Sequence, residues 1–343
     1  MERVRRMPEN ITLRRSRFRG CLLGLAVGDA LGAPVEFWDL PRIRLKYGMA
    51  GIQDFDSWGR YPEFPPGSYT DDTQMSLATA RGLVKAVERW RRTDRFIPAT
   101  DVYQEYLVWR KVQNDPLQRR LPGATCLTAL EDGNPGTVDE PLNDSKGAGG
   151  VMRVAPAGLV FPKDTAFREA VAFAALTHGH PSGYLPAGVL AEVIAWIRRG
   201  VSLREAVERS LPLLGEHYPS SEETQLKVRQ ALELSQTRQH EESAIMDLGE
   251  GWVGEEALAI ALYCALRHRE DFRAGVLAAV NITGDSDTTG SITAAILGTI
   301  LGEQGIPEEW RAGVENAGLI VATADELEEA FRPGRPLPFA AHR

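Results

Sequence analysis

Two short stretches of the sequence combine carboxylates with hydroxyls in a pattern typical of sites for hard cations. The first is GDSDTTG at residues 284–290, which lies between apolar runs, and the second is GSYTDDTQ at residues 67–74, which precedes a helical pattern. Burying bare carboxylates in such surroundings costs several kcal/mol each unless something compensates their charge. A divalent cation does so, because it binds carboxylate, hydroxyl and water oxygens. Together the stretches offer four carboxylates, enough for two cations with open positions for water and substrate.

The same residues could instead cap helices, since Ser, Thr and Asp are preferred at helix N-termini. Thr70, Asp71, Asp285 and Asp287 all stand at loop-to-helix junctions. A cap needs one oxygen, however, and each stretch has several. A helix N-terminus also repels cations, so a metal there requires surplus negative charge, which both stretches supply. Both roles stay open, because capping and ligation do not exclude each other.

A glycine-rich stretch, NDSKGAGGVMR at residues 143–153, is a second kind of candidate site. Its backbone N–H groups could hold a phosphate, although its spacing matches neither the dinucleotide-binding fingerprint nor the P-loop. A structural turn is the alternative interpretation. His178 and His180 follow later, with Gly179 between them. This spacing suits a shared metal poorly, so we expect one of the two to donate a hydrogen bond.

The overall composition excludes some classes of function. The chain has 343 residues, a net charge of −8 and a pI near 5.4, which argue against binding along a nucleic-acid backbone. No apolar run is long enough to span a bilayer, so we expect no direct nucleic-acid or membrane partner. Cys21, Cys126 and Cys264 lie far apart in apolar segments. This predicts small core residues in a reducing compartment, the cytoplasm.

Helical periodicity dominates the chain, and no segment alternates as a convincing strand. Residues 18–31 predict a buried helix whose glycines recur every four residues, which leaves one face open to close approach by another helix. Residues 47–69 predict a long loop, and residues 238–253 predict a polar, irregular segment.

These patterns predict an all-α protein with a single compact multi-helix domain over residues 17–332. In this domain the two acidic stretches, far apart in the sequence, are expected to meet. We expect a flexible basic segment at residues 1–16 and a Pro/Arg-rich tail at residues 333–343 to flank it.

Five motifs occur in an order that resembles the ADP-ribosylglycohydrolase family, which includes the dinitrogenase-reductase-activating glycohydrolase and the ADP-ribosyl-acceptor hydrolases. The resemblance covers roughly residues 17–330. It implies an all-α fold, two divalent cations (Mg²⁺ or Mn²⁺) and hydrolysis of the bond between the ribose of ADP-ribose and an acceptor. The motifs are GCLLG and GDALG with Glu36 (residues 20–36), YTDDT (69–73), GAGGVMR (147–153), TH (177–178) and GDSDT (284–288).

The resemblance also implies a role for each matching residue. Glu36, on a mobile loop, would act in gating or proton transfer, with Asp72 and Asp285 as further catalytic residues. His178 would contact a ribose. The metal ligands would be Thr70, Asp71, Asp72, Asp285, Asp287 and Thr288. The diphosphate or adenosine side of ADP-ribose would bind Ser145, Gly147, Ala148, Gly149 and Gly150.

The acceptor is left open by the resemblance, because Asp54, Asp56 and residues 115–120 match no family motif. It could be an arginine or serine side chain of a protein, an ADP-ribose chain or a small ADP-ribose conjugate. Two other classes of protein are alternatives. Residues 285–289 match the D-x-D-x-T motif of haloacid-dehalogenase-like phosphatases, which requires a parallel sheet. The second alternative is a non-catalytic relative that binds ADP-ribose, since a family fold can be kept while the activity is lost.

Overall fold

The computed structural model describes residues 11–59, 61, 63–218 and 220–333. These residues form sixteen α-helices and two short 3₁₀ helices, at Ala148–Gly150 and Glu303–Gly305, and they contain no β-strand. The predicted all-α class is therefore confirmed. One hydrophobic core contains residues from almost every helix, which agrees with a single domain.

The helices follow one another with mostly short connections. In chain order they are α1 (Ile11–Gly32), α2 (Leu40–Tyr47), α3 (Asp71–Thr93), α4 (Pro98–Val112), α5 (Ala124–Ala129), α6 (Ala155–Val160), α7 (Thr165–Ala175), α8 (Pro181–Ile197), α9 (Leu203–His217), α10 (Glu222–Leu234), α11 (Glu241–Leu248), α12 (Gly254–Arg267), α13 (Phe272–Val280), α14 (Ser286–Leu301), α15 (Glu308–Gly313) and α16 (Ala317–Ala330).

Helices α1 and α14 make the most extensive helix contact in the described part of the chain. The glycine face of α1 allows it, as predicted. A β-carbon at Gly20 would lie 2.2 Å from the carbonyl oxygen of Gly298, and one at Gly28 would lie 2.2 Å from that of Gly290. The two backbones therefore touch along most of their length. This contact brings Asp29 of α1 to the N-terminal end of α14, which is formed by the acidic stretch 284–290.

Replacing Gly298 with alanine is expected to lower the free energy of unfolding by about 3 kcal/mol. The added β-carbon would lie 1.9 Å from the carbonyl oxygen of Gly20, so one backbone must move. Gly318→Ala in α16 is the matched control, since nothing lies within 4 Å of a β-carbon there. Urea denaturation of both variants measures the difference. Equal stabilities would contradict the close helix contact.

Three sequence predictions need correction or restriction. Helix α1 begins at Ile11, so residues 11–16 belong to the domain and not to a flexible segment. Arg14 is buried there and donates from Nε to Glu328 at 3.0 Å. Residues 1–10 and 334–343, which hold the rest of the basic segment and nearly all of the tail, lie outside the described residues.

The segment 238–253 is not irregular throughout, because it contains helix α11. Only Ala244, Ile245 and Leu248 of this helix are buried, and three apolar positions in one short helix give too weak a periodicity to recognise. Helix α2 was also missed. The side chain of Asp39 caps it by accepting from the backbone N–H of Arg42 at 2.8 Å.

The three cysteines are all buried and free, which confirms them as core residues. Among the residues that the structure describes, no helix has both the length and the apolar character that crossing a membrane requires.

Candidate active site

Six buried or nearly buried carboxylates from three parts of the chain converge at one place, and we call them the carboxylate cluster. Oxygen atoms of Glu36, Asp285 and Asp287 all lie within 4.8 Å of one another. Asp287 also interacts with the other stretch, through a hydrogen bond from Thr70 and through repulsion of the charges of Asp71 and Asp72, so the predicted meeting of the two acidic stretches occurs. The cluster consists of Asp29 on α1, Glu36 just after α1, Asp71 and Asp72 in the first turn of α3, and Asp285 and Asp287 at the start of α14.

Asp29 fixes the start of α3 against α1. Its carboxylate accepts the backbone N–H groups of Thr70 at 2.8 Å and Thr73 at 2.9 Å, and the hydroxyl of Thr73 at 2.5 Å. A carboxylate at a helix N-terminus also interacts favourably with the helix dipole. Sequence reasoning gave Asp29 no role of its own. The available signal was its position as the one charged residue in the apolar run 20–32.

The start of α14 is organised by its own aspartates. Asp285 is the N-cap, and its Oδ1 accepts the backbone N–H of Thr288 at 3.3 Å, while Oδ1 of Asp287 accepts the same N–H at 3.0 Å. Thr70 caps α3 in the same way by accepting from the N–H of Asp72 at 3.3 Å. The capping interpretation is therefore correct for Thr70 and Asp285. The remaining carboxylate oxygens still exceed what two caps require.

Two oxygens of the cluster are buried without a hydrogen-bond partner among the described residues, namely Oδ1 of Asp72 and Oε2 of Glu36. Within the same part of the chain, no member of the cluster forms an ion pair with a lysine or arginine. A buried polar group left unpaired costs about 1–3 kcal/mol, and more if it is charged. Among the described residues, the cluster therefore has no cationic partner and too few hydrogen-bond donors to pair all its oxygens.

The pKa values express this shortage of positive charge. Burial raises the pKa of Asp285 to about 6, and burial together with the charge of Asp287 raises that of Asp29 to about 7. The pKa values of Glu36, Asp71 and Asp72 also lie well above the usual range. Burial is the main cause, and the charge of Asp287 is the second. A set of oxygen donors with excess negative charge fits hard divalent cations, so these residues could hold a metal.

The glycine-rich loop, residues 143–150, lies beside the carboxylate cluster because two segments connect them. Oδ2 of Asp71 accepts the N–H of Gly123 at 3.2 Å, directly before α5, and Thr125 of α5 forms a 3.0 Å hydrogen bond with the hydroxyl of Ser145. On the other side, Ala148 donates its N–H to the carbonyl of Trp252 at 3.1 Å. The carboxylate cluster and the glycine-rich loop are therefore neighbours.

The predicted substrate-binding residues of the loop gather around one point. A β-carbon at Gly147 would lie 3.3 Å from Oγ of Ser145 and 3.4 Å from Nε2 of His178. Gly149 is equally close, because its β-carbon would lie 3.0 Å from Cε1 of His178. Gly150 allows close packing instead, since a β-carbon there would lie 2.3 Å from the carbonyl oxygen of Gly183 in α8.

The loop offers fewer free N–H groups for a phosphate than its sequence suggests. The N–H of Gly147 donates to Oγ of Ser145 at 3.3 Å, and that of Ala148 is used by Trp252. The two histidines, His178 and His180, also make different contacts. His180 caps α8 by accepting the N–H of Ser182 at 3.0 Å, whereas His178 is 1% exposed and faces the loop.

A pair of aromatic rings joins the turn that holds Glu36 to the glycine-rich loop, and it was not foreseen from the sequence. The ring of Phe37 stacks on Trp252 with centroids 5.1 Å apart and an interplanar angle of 20°. Phe37 directly follows Glu36, is 65% exposed and has a φ of +65°, which a bulky residue rarely adopts. The carbonyl of Trp252 meanwhile holds Ala148, so the stack links the Glu36 turn to the glycine-rich loop.

The fold and the site together define a class of all-helical proteins in which buried carboxylates lie beside a glycine-rich loop. The family model described as ADP-ribosylglycohydrolase matches residues 10–336. The chain therefore belongs to the ADP-ribosylglycohydrolase family, and this membership supports ADP-ribosyl hydrolysis as its activity.

Individual relatives agree with the family assignment. The chain is 26% identical to the ADP-ribosyl-[dinitrogen reductase] glycohydrolase of Rhodospirillum rubrum, with 86% of this chain and 88% of that protein covered. It is 28% identical to ADP-ribosylhydrolase ARH3 of Bos taurus, with 92% and 93% covered. A solved structure titled ADP-ribosylglycohydrolase-related protein complex is similar at a TM-score of 0.70 and 27% identity, with 93% of this chain and 99% of that chain covered.

The phosphatase alternative is wrong for this chain. Its motif needs the end of a strand in a parallel sheet, whereas residues 285–289 form the cap and first turn of α14, and the described residues contain no strand. The family match over nearly the whole chain points the same way.

Proposed function

We propose that the protein hydrolyses the glycosidic bond between the ribose of ADP-ribose and an acceptor, with two divalent cations, Mg²⁺ or Mn²⁺, bound at the carboxylate cluster. The observation that carries the proposal is the cluster itself, which is buried, has no cationic partner among the described residues and lies beside the glycine-rich loop. The proposed metal ligands are Thr70, Asp71, Asp72, Asp285, Asp287 and Thr288.

Bound cations would neutralise the cluster, orient the hydroxyls of the distal ribose and a water near its anomeric carbon, and so admit an anionic substrate. The carboxylates themselves would stabilise the oxocarbenium-like transition state of glycosyl transfer to water. Glu36 is the proposed proton-transfer residue, because burial raises its pKa and its Oε2 has no partner among the described residues. Asp72 and Asp285 complete the proposed catalytic set.

The glycine-rich loop is the proposed binding site for the rest of ADP-ribose. Ser145 and His178 flank Gly147 within 3.4 Å of a β-carbon position there, so a ligand oxygen in that space would have two polar side chains in reach. Because the N–H groups of Gly147 and Ala148 are already used, side chains are expected to contribute more than the backbone. Gly149 and Gly150 would provide room and packing.

A panel of ADP-ribosylated substrates tests the proposed activity. Peptides modified on arginine or on serine and a small ADP-ribose conjugate are incubated with the protein and Mg²⁺ or Mn²⁺, and released ADP-ribose is measured by chromatography. We expect release from at least one substrate, loss of release with EDTA and recovery with excess metal. Binding of ADP-ribose without release from any substrate would instead favour a non-catalytic relative.

A further inference from the structure

Arg153 is a buried cation whose partners are not carboxylates. Its guanidinium lies 4.4 Å above the ring of Tyr106, contacts Sγ of Cys126 at 3.3 Å, and has no carboxylate within 4.0 Å among the described residues. Burying a charge in this way is costly. The strongest hydrogen bonds come from Nη2, which donates to the carbonyl of Phe173 at 3.1 Å and to Oγ1 of Thr177 at 2.6 Å.

The bond from Arg153 determines what the hydroxyl of Thr177 can do. Since an arginine only donates, Oγ1 of Thr177 accepts that bond and its own proton must go elsewhere. One acceptor is Nδ1 of His178 at 2.8 Å, and the other is the carbonyl of Ala174 at 3.5 Å. That carbonyl already accepts the N–H groups of Thr177 at 3.1 Å and His178 at 3.0 Å. The hydroxyl therefore donates to Nδ1.

His178 is a neutral imidazole in this setting. Burial, together with the charge of Arg153, lowers its pKa to about 3. A neutral imidazole carries one proton, and a nitrogen that accepts a hydrogen bond cannot hold it. With Nδ1 accepting, the proton lies on Nε2. This nitrogen has no hydrogen-bond partner among the described residues, and it faces the positions that β-carbons would fill at Gly147 and Gly149, at 3.4 and 3.2 Å.

We propose that Arg153 is a positioning residue that acts through Thr177 to fix His178 as the Nε2–H tautomer, so that a hydrogen-bond donor points at the space beside Gly147 and Gly149 of the glycine-rich loop. The inference rests on the proposed function for its substrate, which is a hydroxyl or phosphate oxygen of the ADP-ribosyl group. The other tautomer would present a lone pair, which repels a phosphate oxygen and can only accept from a hydroxyl, so it could not donate to either group. The glycines at 147 and 149 keep the space in front of Nε2 open.

The tautomer can be measured without any activity assay. Protein labelled with ¹⁵N-histidine is studied by long-range ¹H–¹⁵N correlation spectra between pH 5 and 8, and His178→Asn identifies the signal among the six histidines of the chain. We expect a signal of the Nε2–H tautomer that does not titrate over this range. A proton on Nδ1, or a protonated ring at pH 6, would overturn the proposal even if the protein hydrolyses ADP-ribosyl bonds.

Variants test the two positioning steps. In Thr177→Val the ¹⁵N shift of Nδ1 should move to that of an acceptor without a hydrogen bond, and ADP-ribose should bind about tenfold more weakly by calorimetry. Thr177→Ser keeps the hydroxyl, and its affinity for ADP-ribose should stay within about twofold of wild type.

Arg153→Met should populate the Nδ1–H form of His178, because Thr177 can then accept from Nδ1. An unchanged spectrum in Thr177→Val, or in folded Arg153→Met, would overturn the relay.

Discussion

Replacing Asp287 with asparagine is expected to lower kcat about a thousandfold and to weaken metal binding, while the protein stays folded. Asp287 is the member whose charge acts most on the rest of the carboxylate cluster, and its oxygen lies within 4.8 Å of those of Glu36 and Asp285. Losing this charge would remove a proposed metal ligand and reduce the repulsion that Asp287 exerts on Glu36 and Asp72. The same change relieves repulsion, so the metal-free variant should have a higher Tm than the metal-free wild type.

Two measurements check this prediction. Calorimetric titration with Mn²⁺ measures the metal affinity, and release of ADP-ribose from the best substrate of the panel measures turnover. Asp132→Asn is the matched control, because Asp132 is exposed on the loop after α5. Wild-type metal affinity in Asp287→Asn would remove this residue from the ligand set, and wild-type turnover would reject the cluster as the active site.

The metal-free protein is expected to become less stable as the pH rises from 5 to 8. In the folded state the pKa is about 6 for Asp285 and about 7 for Asp29, whereas an unfolded aspartate titrates near 4. Between those values the folded protein holds more protons than the unfolded chain, so the free energy of unfolding falls as the protons are lost. Between pH 5 and 8 the expected loss is about 1.4 kcal/mol from Asp285 alone and about 2.6 kcal/mol from Asp29 alone.

Divalent cations should reverse this pH dependence, because they bind the ionised carboxylates and compete with protons. Urea denaturation at pH 5, 6.5 and 8, with EDTA or with saturating Mg²⁺, measures both slopes. Asp287→Asn should have a shallower slope than wild type in EDTA, since one source of repulsion is gone. A metal-free stability that is flat or rises over this range would contradict the electrostatic account of the site.

The sequence allowed the main features of the site to be predicted, because residue types at helix starts carry local information. Thr70, Asp72, Asp285 and Asp287 stood out as oxygen donors beyond the need for caps, and the structure brings them together. The all-α class followed from periodicity alone. The metal and substrate roles of these residues remain predictions that the experiments above address.

The features that were missed depend on contacts between distant segments. The role of Asp29 depends on α1 packing beside the start of α3. The stack of Phe37 on Trp252 joins residues that no sequence period relates. The bond from Arg153 to Thr177 requires the end of α7 to turn back over the glycine-rich loop. Propensity and spacing carry no information about such approaches, which only the packed core defines.

The close packing of α1 against α14 has a consequence for how the protein is made. The ribosome completes α1 long before it reaches α14, so the glycine-lined face of α1 has no α14 to pack against during most of synthesis. Contacts of such large sequence separation form late and at a high loop-closure cost. Nascent chains should therefore present an apolar helix to chaperones until α14, in the last fifth of the chain, emerges, and the carboxylate cluster becomes complete only after that.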